Sequence, residues 1–271
     1  MARKSYADAL EFYLRALKAT DNKDARLWNK VGIARQNLLD MSGARKAYKQ
    51  AIRFKKDFAE PYNNVGTTYY LSDQAKKSLK WYRQAIQHNP GNPAFHYNLG
   101  TALYARKKIK EAIEAYQQTL RLDPGFFTNR SNVGTTLQAR PADAKYFFYL
   151  AKVFASLGRP EEAVRYLRRA LEDGFKDFEM IDQDPDFKTM AQYPPYLELR
   201  ATPPPTSLTA CSLMWAARGS RKTASNSAGW ASAIMSRGPT HEQTACRFPG
   251  VLRRARTQCS AAFSHDSGAP V

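Results

Sequence analysis

The feature that most constrains this sequence is a glycine that recurs at one constant interval along its first half. A tyrosine follows each of the first three glycines, also at a constant distance, at Tyr48, Tyr82 and Tyr116. Self-similarity at a fixed period indicates a repeat architecture, in which each repeat is one supersecondary unit that packs on its neighbours. The glycines each follow an aliphatic residue, and they are Gly32, Gly66, Gly100 and Gly134.

Small residues accompany the repeated tyrosines at helical spacing. Residues three or four apart lie on one face of a helix, so a small–tyrosine–small stripe predicts a helix packed closely along that face. Each repeat therefore predicts a first helix that carries the glycine and a second helix that carries the stripe. The small residues are Ala44 and Ala51, Ser78 and Ala85, and Ala112 and Thr119.

This pattern resembles the tetratricopeptide repeat of bacterial type. The resemblance implies an all-α fold, a right-handed α-solenoid of helix pairs whose concave groove is lined mainly by the first helices. Repeat one departs from the family at Lys56, where proline is usual. The matching residues are Trp28, Val31, Gly32, Ala44, Tyr48 and Ala51 in repeat 25–58; Tyr62, Val65, Gly66, Tyr69, Ser78, Tyr82, Ala85 and Pro90 in repeat 59–92; and His96, Leu99, Gly100, Leu103, Ala112, Tyr116, Thr119 and Pro124 in repeat 93–126.

The pattern changes at both ends of the three repeats, which together span 25–125. Residues 1–20 reproduce a second-helix stripe without a first helix, which suggests an orphan helix of a preceding repeat and a chain that is a fragment of a longer solenoid or has a misplaced start. Residues 127–143 fit either an irregular insert or an extra helix. The motif then restarts, half a repeat out of phase, as a fourth repeat at 144–177 with a cap at 178–199.

The composition changes sharply near residue 200. Only eight positions of 200–271 hold Leu, Ile, Val or Phe, well below the roughly 20% under which chains do not form a core. We therefore expect a disordered, low-complexity tail, which is either a natural extension or sequence read out of frame. The three cysteines lie in this tail at spacings that match no metal or redox motif.

The formal net charge of +18 invites a nucleic-acid interpretation. The tail carries nine Lys or Arg against two Asp or Glu, and residues 1–199 carry 33 against 22. The charge of the repeat region, +11, falls in runs at turns and on second helices, which form the convex face of the family fold. Such runs are usually solvated, so binding of RNA or another polyanion there is the alternative and not the main prediction.

The sequence offers little for catalysis. It has no phosphate-binding glycine loop, nucleophile elbow or zinc-binding helix motif. The spacing of Asp182, Asp184 and Asp186 is superficially that of a calcium loop, but Phe187 replaces the required glycine. We predict a non-catalytic protein with no cofactor and no metal site.

The first helices supply the candidate binding residues. The resemblance implies a protein–protein interaction scaffold that holds an extended peptide, with asparagines such as Asn64 and Asn98 bonding the peptide backbone. The alternative is that these asparagines only bond neighbouring repeats. No apolar run long enough for a membrane span occurs, and the compartment is unknown, cytoplasmic by default. The predicted groove residues are Asn29, Lys30, Asn63, Asn64, Thr67, Tyr70, Tyr97, Asn98, Thr101 and Tyr104.

Overall fold

The computed structural model describes residues 2–127 and 143–204, and these contain helices and turns but no strand. They belong to one compact unit, Met1–Leu213. Most of the predicted insert at 127–143 and of the tail at 200–271 lies outside the described residues. The helices are α1 (Ala2–Ala19), α2 (Ala25–Asn37), α3 (Met41–Phe54), α4 (Ala59–Leu71), α5 (Ala75–His88), α6 (Pro93–Ala105), α7 (Ile109–Leu122), α8 (Ala144–Ser156), α9 (Pro160–Glu172), α10 (Phe178–Gln183), α11 (Pro185–Lys188) and α12 (Pro194–Ala201).

Consecutive helices pack in pairs. The most extensive contacts join α2 to α3, α4 to α5, α6 to α7, and α8 to α9. Each second helix also packs on the first helix of the next pair in the first three repeats, as α3 does on α4 and α5 on α6. The architecture is the α-solenoid that the repeat period predicts, because each pair buries its apolar stripe only against its neighbours.

The turn inside each pair contains one residue in the left-handed backbone region. Its φ is 67° at Leu39, 58° at Asp73, 59° at Lys107 and 69° at Gly158. A residue in the left-handed conformation reverses the chain just after a helix, and glycine adopts this conformation with the least strain. Only the fourth pair of the described residues uses glycine there, so the first three turns retain some backbone strain.

A glycine of the first helix faces a tyrosine of the second within each of the first three pairs. A Cβ placed on Gly66 would lie 2.7 Å from Cε1 of Tyr82, and one on Gly32 would lie 2.3 Å from Cε1 of Tyr48. Both glycines and both tyrosines stand at the eighth position of their helices. In the fourth pair the eighth positions hold Ala151 and Leu167, both fully buried. A larger first-helix residue is thus matched by a smaller second-helix residue.

Helix α1 has the stripe of a second helix but a different environment. It packs on α2, where Leu17 is buried beside Val31 and Ala47. The stripe residues Ala9, Tyr13 and Ala16 are half-buried, whereas their counterparts on the three following second helices are fully buried.

Three short helices follow the fourth pair, where the sequence predicts a cap. Pro185 begins α11 directly after α10, and the side chain of Asp184 caps α11 by accepting a bond from the amide of Asp186. Lys152 of α8 donates to Asp184 Oδ2 at 2.5 Å and lies 3.4 Å from Asp186 Oδ2. Burial disfavours the charged ammonium, but the two carboxylates outweigh this and raise the pKa of Lys152. The acidic turn therefore caps a helix and binds a lysine.

Candidate functional site

The face formed by the first helices α2, α4 and α6, here called the groove face, divides the predicted binding residues into two groups. Lys30 is exposed, and four others are half-buried and reach solvent. Lys30 also lies over the ring of Tyr13, with its Nζ 5.5 Å from the ring centroid. The half-buried residues are Asn29, Asn64, Tyr70 and Tyr104.

The other five predicted residues are buried in the structure. Thr67 accepts a hydrogen bond from the hydroxyl of Tyr82 at 3.3 Å and donates to the carbonyl of Asn63 at 3.1 Å. Thr101 repeats this arrangement with Tyr116 and with the carbonyl of Tyr97. These threonines satisfy the hydroxyl groups of the stripe tyrosines, a need that buried polar groups generally have. The buried residues are Asn63, Thr67, Tyr97, Asn98 and Thr101.

The asparagines form a chain of hydrogen bonds across three repeats. Asn64 Nδ2 donates to Asn29 Oδ1 at 3.0 Å, and Asn98 Nδ2 donates to Asn63 Oδ1 at 2.8 Å. Asn63 and Asn64 are themselves linked at 3.4 Å. The bonds from Asn64 to Asn29 and from Asn98 to Asn63 each join asparagines of adjoining first helices. Asn64 and Asn98 therefore each bond an asparagine of the neighbouring repeat, and Asn29 and Asn64 are only half-buried.

Tyrosines line the end of the groove face nearest the intra-repeat turns. Tyr70 borders a cavity of about 260 Å³ together with Leu71, Asp73 and Ala105. Burial, assisted by nearby Tyr97 and Asp73, raises the pKa of Tyr70. Its hydroxyl is a donor at neutral pH, as a tyrosine hydroxyl is even at its ordinary pKa. The cavity can therefore take an apolar side chain beside a hydrogen-bonding phenol.

Tyr104 extends this aromatic surface toward α8. Its hydroxyl donates to Asp143 Oδ1 at 2.6 Å, and its ring lies 6.1 Å from that of Tyr149. Burial and this bond to a carboxylate raise the pKa of Tyr104. Asp143 also caps α8 through the amide of Tyr146. The proton of the Tyr104 hydroxyl is therefore committed to Asp143, and the side chain is half-buried.

Two residues of this cavity, Leu71 and Ala105, are not among the residues predicted from the sequence. They occupy the corresponding last positions of α4 and α6, so the repeat period could have indicated them. Over the described ranges no group of three His, Cys, Asp or Glu side chains could hold a metal ion. Nor does any helix among them have the length and apolar content to cross a membrane.

Family comparisons match three segments to tetratricopeptide-repeat models. The segments are residues 93–126, residues 69–105 and residues 130–177. Residues 69–126 and 130–177 therefore belong to the tetratricopeptide-repeat family. The last of these segments includes the helix pair of α8 and α9. The family fold supports a role as a protein–protein interaction scaffold, and its members are generally non-catalytic.

Solved structures of tetratricopeptide-repeat proteins resemble the chain at low sequence identity. A crystal structure of MamA is 22% identical, with a TM-score of 0.45, over 64% of this chain and 90% of that one. MamA from Desulfovibrio magneticus RS-1 is 19% identical, with a TM-score of 0.44, over 63% and 86%. YrrB, described as having an unusual peptide-binding site, is 19% identical, with a TM-score of 0.42, over 65% and 81%. The comparison with curated proteins found no match.

Proposed function

We propose that the groove face binds an extended segment of a partner protein, with the chain acting as a non-catalytic scaffold. The observation that carries this proposal is the set of solvent-accessible amide and phenol side chains on consecutive first helices. Asn29 and Asn64 present donors and acceptors that suit peptide backbone groups of any sequence. Tyr70 and Tyr104 add rigid aromatic surface at low entropic cost.

The buried half of the predicted residues supports the proposal indirectly. The bond from Asn98 to Asn63 joins two neighbouring repeats. The bonds from Tyr82 to Thr67 and from Tyr116 to Thr101 join the two helices of one repeat. Together these bonds fix the spacing of the first helices. Ligand-facing side chains on those helices are then held at fixed positions before binding. A preorganised surface loses less conformational entropy when it binds, so more of the contact energy becomes affinity.

The proposal is tested by selecting peptides that bind the full chain from a random library and measuring their affinity by fluorescence anisotropy. The double variant Asn64→Ala/Tyr70→Ala should weaken a selected peptide by about tenfold or more, the effect of losing one good anchor. The control Gln87→Ala/Lys110→Ala removes exposed side chains from the second helices α5 and α7 and should change affinity little. Selected peptides that bind the groove variant as tightly as the unmodified chain would contradict the proposal.

A further inference from the structure

The second helices carry a charge imbalance that peptide binding to the groove face does not explain. Helices α3 and α5 contain eight Lys or Arg residues and no Asp or Glu. Helices α7 and α9 are balanced, with two cations against two carboxylates and three against three. The positive charge of the described second helices is therefore concentrated on two neighbours and is not spread evenly along the solenoid.

This charge borders an open cleft of about 600 Å³ between α5 and the beginning of α7. Lys76, Lys80 and Arg83 stand one turn apart along α5 and line one wall. Arg106 and Lys108, from the turn before α7, line the other. Long side chains from two elements thus converge on one space from opposite sides.

One carboxylate reaches these cations among the described residues. Glu111 lies 2.6 Å from the Nζ of Lys108 and 3.4 Å from Nη2 of Arg83. No described carboxylate forms an ion pair with Lys76, Lys80 or Arg106. The cleft therefore holds five positive charges against one negative charge, and like charges held so close repel each other unless an anion joins them.

The wall of the cleft also contains an unsatisfied polar atom. Oε1 of Gln84 is buried and has no hydrogen-bond partner in the described part of the chain. This atom is closed to solvent, so the cations, and not this amide, are the groups that a ligand in the cleft would meet.

We propose that this cleft binds a ligand with closely spaced phosphate groups. A phosphate monoester carries about −1.5 to −2 charges at neutral pH, so two or three neighbouring phosphates match the excess of positive charge in a small volume. Side chains on one face of an extended acidic peptide are about 7 Å apart and carry one charge each, which is a poorer match. Arg83 and Arg106 provide bidentate donors, and the lysines provide point charges.

The proposal does not depend on peptide binding, because the cleft is lined by α5 and the turn before α7 and shares no residue with the predicted groove residues. It is tested by titrating the full chain with tripolyphosphate in a calorimeter. One ligand should bind per chain, and the affinity should fall as salt is added. The variant Lys76→Gln/Lys80→Gln should weaken binding by about tenfold.

A matched control separates a site from a diffuse basic surface. Lys46→Gln/Lys49→Gln removes the same charge from α3, and Lys46 occupies the position on that helix that corresponds to Lys80 on α5. Both variants keep the cationic tail, so its contribution is unchanged. The control should bind tripolyphosphate within about twofold of the unmodified chain, and circular dichroism checks that both variants remain helical.

Three results would overturn the proposal. The first is equal weakening by the two double variants, which would mean that the basic face acts as a whole. The second is a glutamate-rich peptide of the same net charge that binds as tightly as tripolyphosphate. The third is no binding of tripolyphosphate. Titration with single-stranded RNA distinguishes the sources of phosphate. If RNA competes with tripolyphosphate and Lys76→Gln/Lys80→Gln weakens RNA binding, RNA binds in the cleft. If the variant leaves RNA binding unchanged, the cleft is not the RNA site.

Discussion

At the residue scale, glycine against tyrosine is the contact that sets the distance between paired helices. Gly66 packs so closely on the ring of Tyr82 that no Cβ fits between them. Both are fully packed in the core, where the tyrosine hydroxyl finds its partner in Thr67. Where the first-helix residue is Ala151, the second helix carries Leu167 and the ring is absent. Residue size at these two positions therefore varies together within this one chain.

This matching predicts the effect of Gly66→Ala. Alanine favours a helix over glycine by about 1 kcal/mol, but its Cβ would force the Tyr82 ring to move, so we expect a net loss of about 1–3 kcal/mol in the free energy of unfolding. Tyr82→Leu in the same chain should recover part of that loss, with a coupling of about 1 kcal/mol. Urea unfolding of the single and double variants measures both quantities.

Gly91 provides the control for that experiment. A Cβ there meets its nearest atom, Oδ1 of Asn89, at an ordinary 3.7 Å, so Gly91→Ala should be close to neutral. A Gly66→Ala variant as stable as the unmodified chain, or additive losses in the double variant, would show that the tyrosine does not limit the approach of the helices.

At the element scale, the turns inside the helix pairs share one backbone conformation but not one residue type. Leu39 is 63% exposed and has a φ of 67°, a region that costs a residue with a side chain roughly 1–2 kcal/mol. Gly158 occupies the same place in the fourth pair without this cost. The solenoid therefore tolerates strain at its first three turns.

Leu39→Gly should relieve that strain. Glycine also makes the unfolded chain more flexible, which offsets part of the gain. We therefore expect the free energy of unfolding to rise by about 0.5–1 kcal/mol. Gly158→Ala should destabilise by about 1 kcal/mol for the reverse reason. Thermal unfolding of both variants tests this, and the same sign of change in both would be inconsistent with the turn geometry.

The helix pairs could be predicted from the sequence because their core positions repeat at a constant period. The division of the cap into α10, α11 and α12 could not be predicted, since it depends on Pro185 and on Lys152, which comes from another helix.

The groove residues were only partly predictable. Periodicity places Asn98 and Thr101 on a first helix, but whether they face a ligand depends on contacts with Asn63 and Tyr116 that a linear pattern does not contain.

At the scale of the whole molecule, buried tyrosines make stability depend on pH in the alkaline range. Burial raises the pKa of Tyr48, Tyr82 and Tyr116 above the ordinary value of 10.0. A raised pKa in the folded state means that the neutral form is favoured there. Its contribution to stability is complete below the pKa of the unfolded chain and is lost as pH rises through the folded pKa.

The melting temperature should therefore be nearly constant near neutral pH and fall steeply above about pH 10. Part of the tyrosinate absorbance should appear only as helicity is lost, because the buried Tyr48, Tyr82 and Tyr116 ionise only when their helices unfold. Simultaneous ionisation of all tyrosines with helicity retained would contradict the packing of the second helices.

The faces of the solenoid divide its surface by chemistry. Accessible asparagine and tyrosine side chains lie on first helices, and a cluster of cations lies on α5 and beside α7. The two faces belong to different helices of the same pairs, so a peptide and a phosphate ligand could bind at the same time. Separate variants on α4 and α5 can therefore test the two proposals independently.

In the proposed complex, the partner segment lies on the first helices. Photo-cross-linking tests it most directly, with a selected peptide that carries a photoreactive residue and with the cross-linked sites mapped by mass spectrometry. Cross-links are expected on α2, α4 and α6, concentrated near Asn64, Tyr70 and Tyr104. Cross-links confined to the second helices α3, α5 and α7 would contradict it.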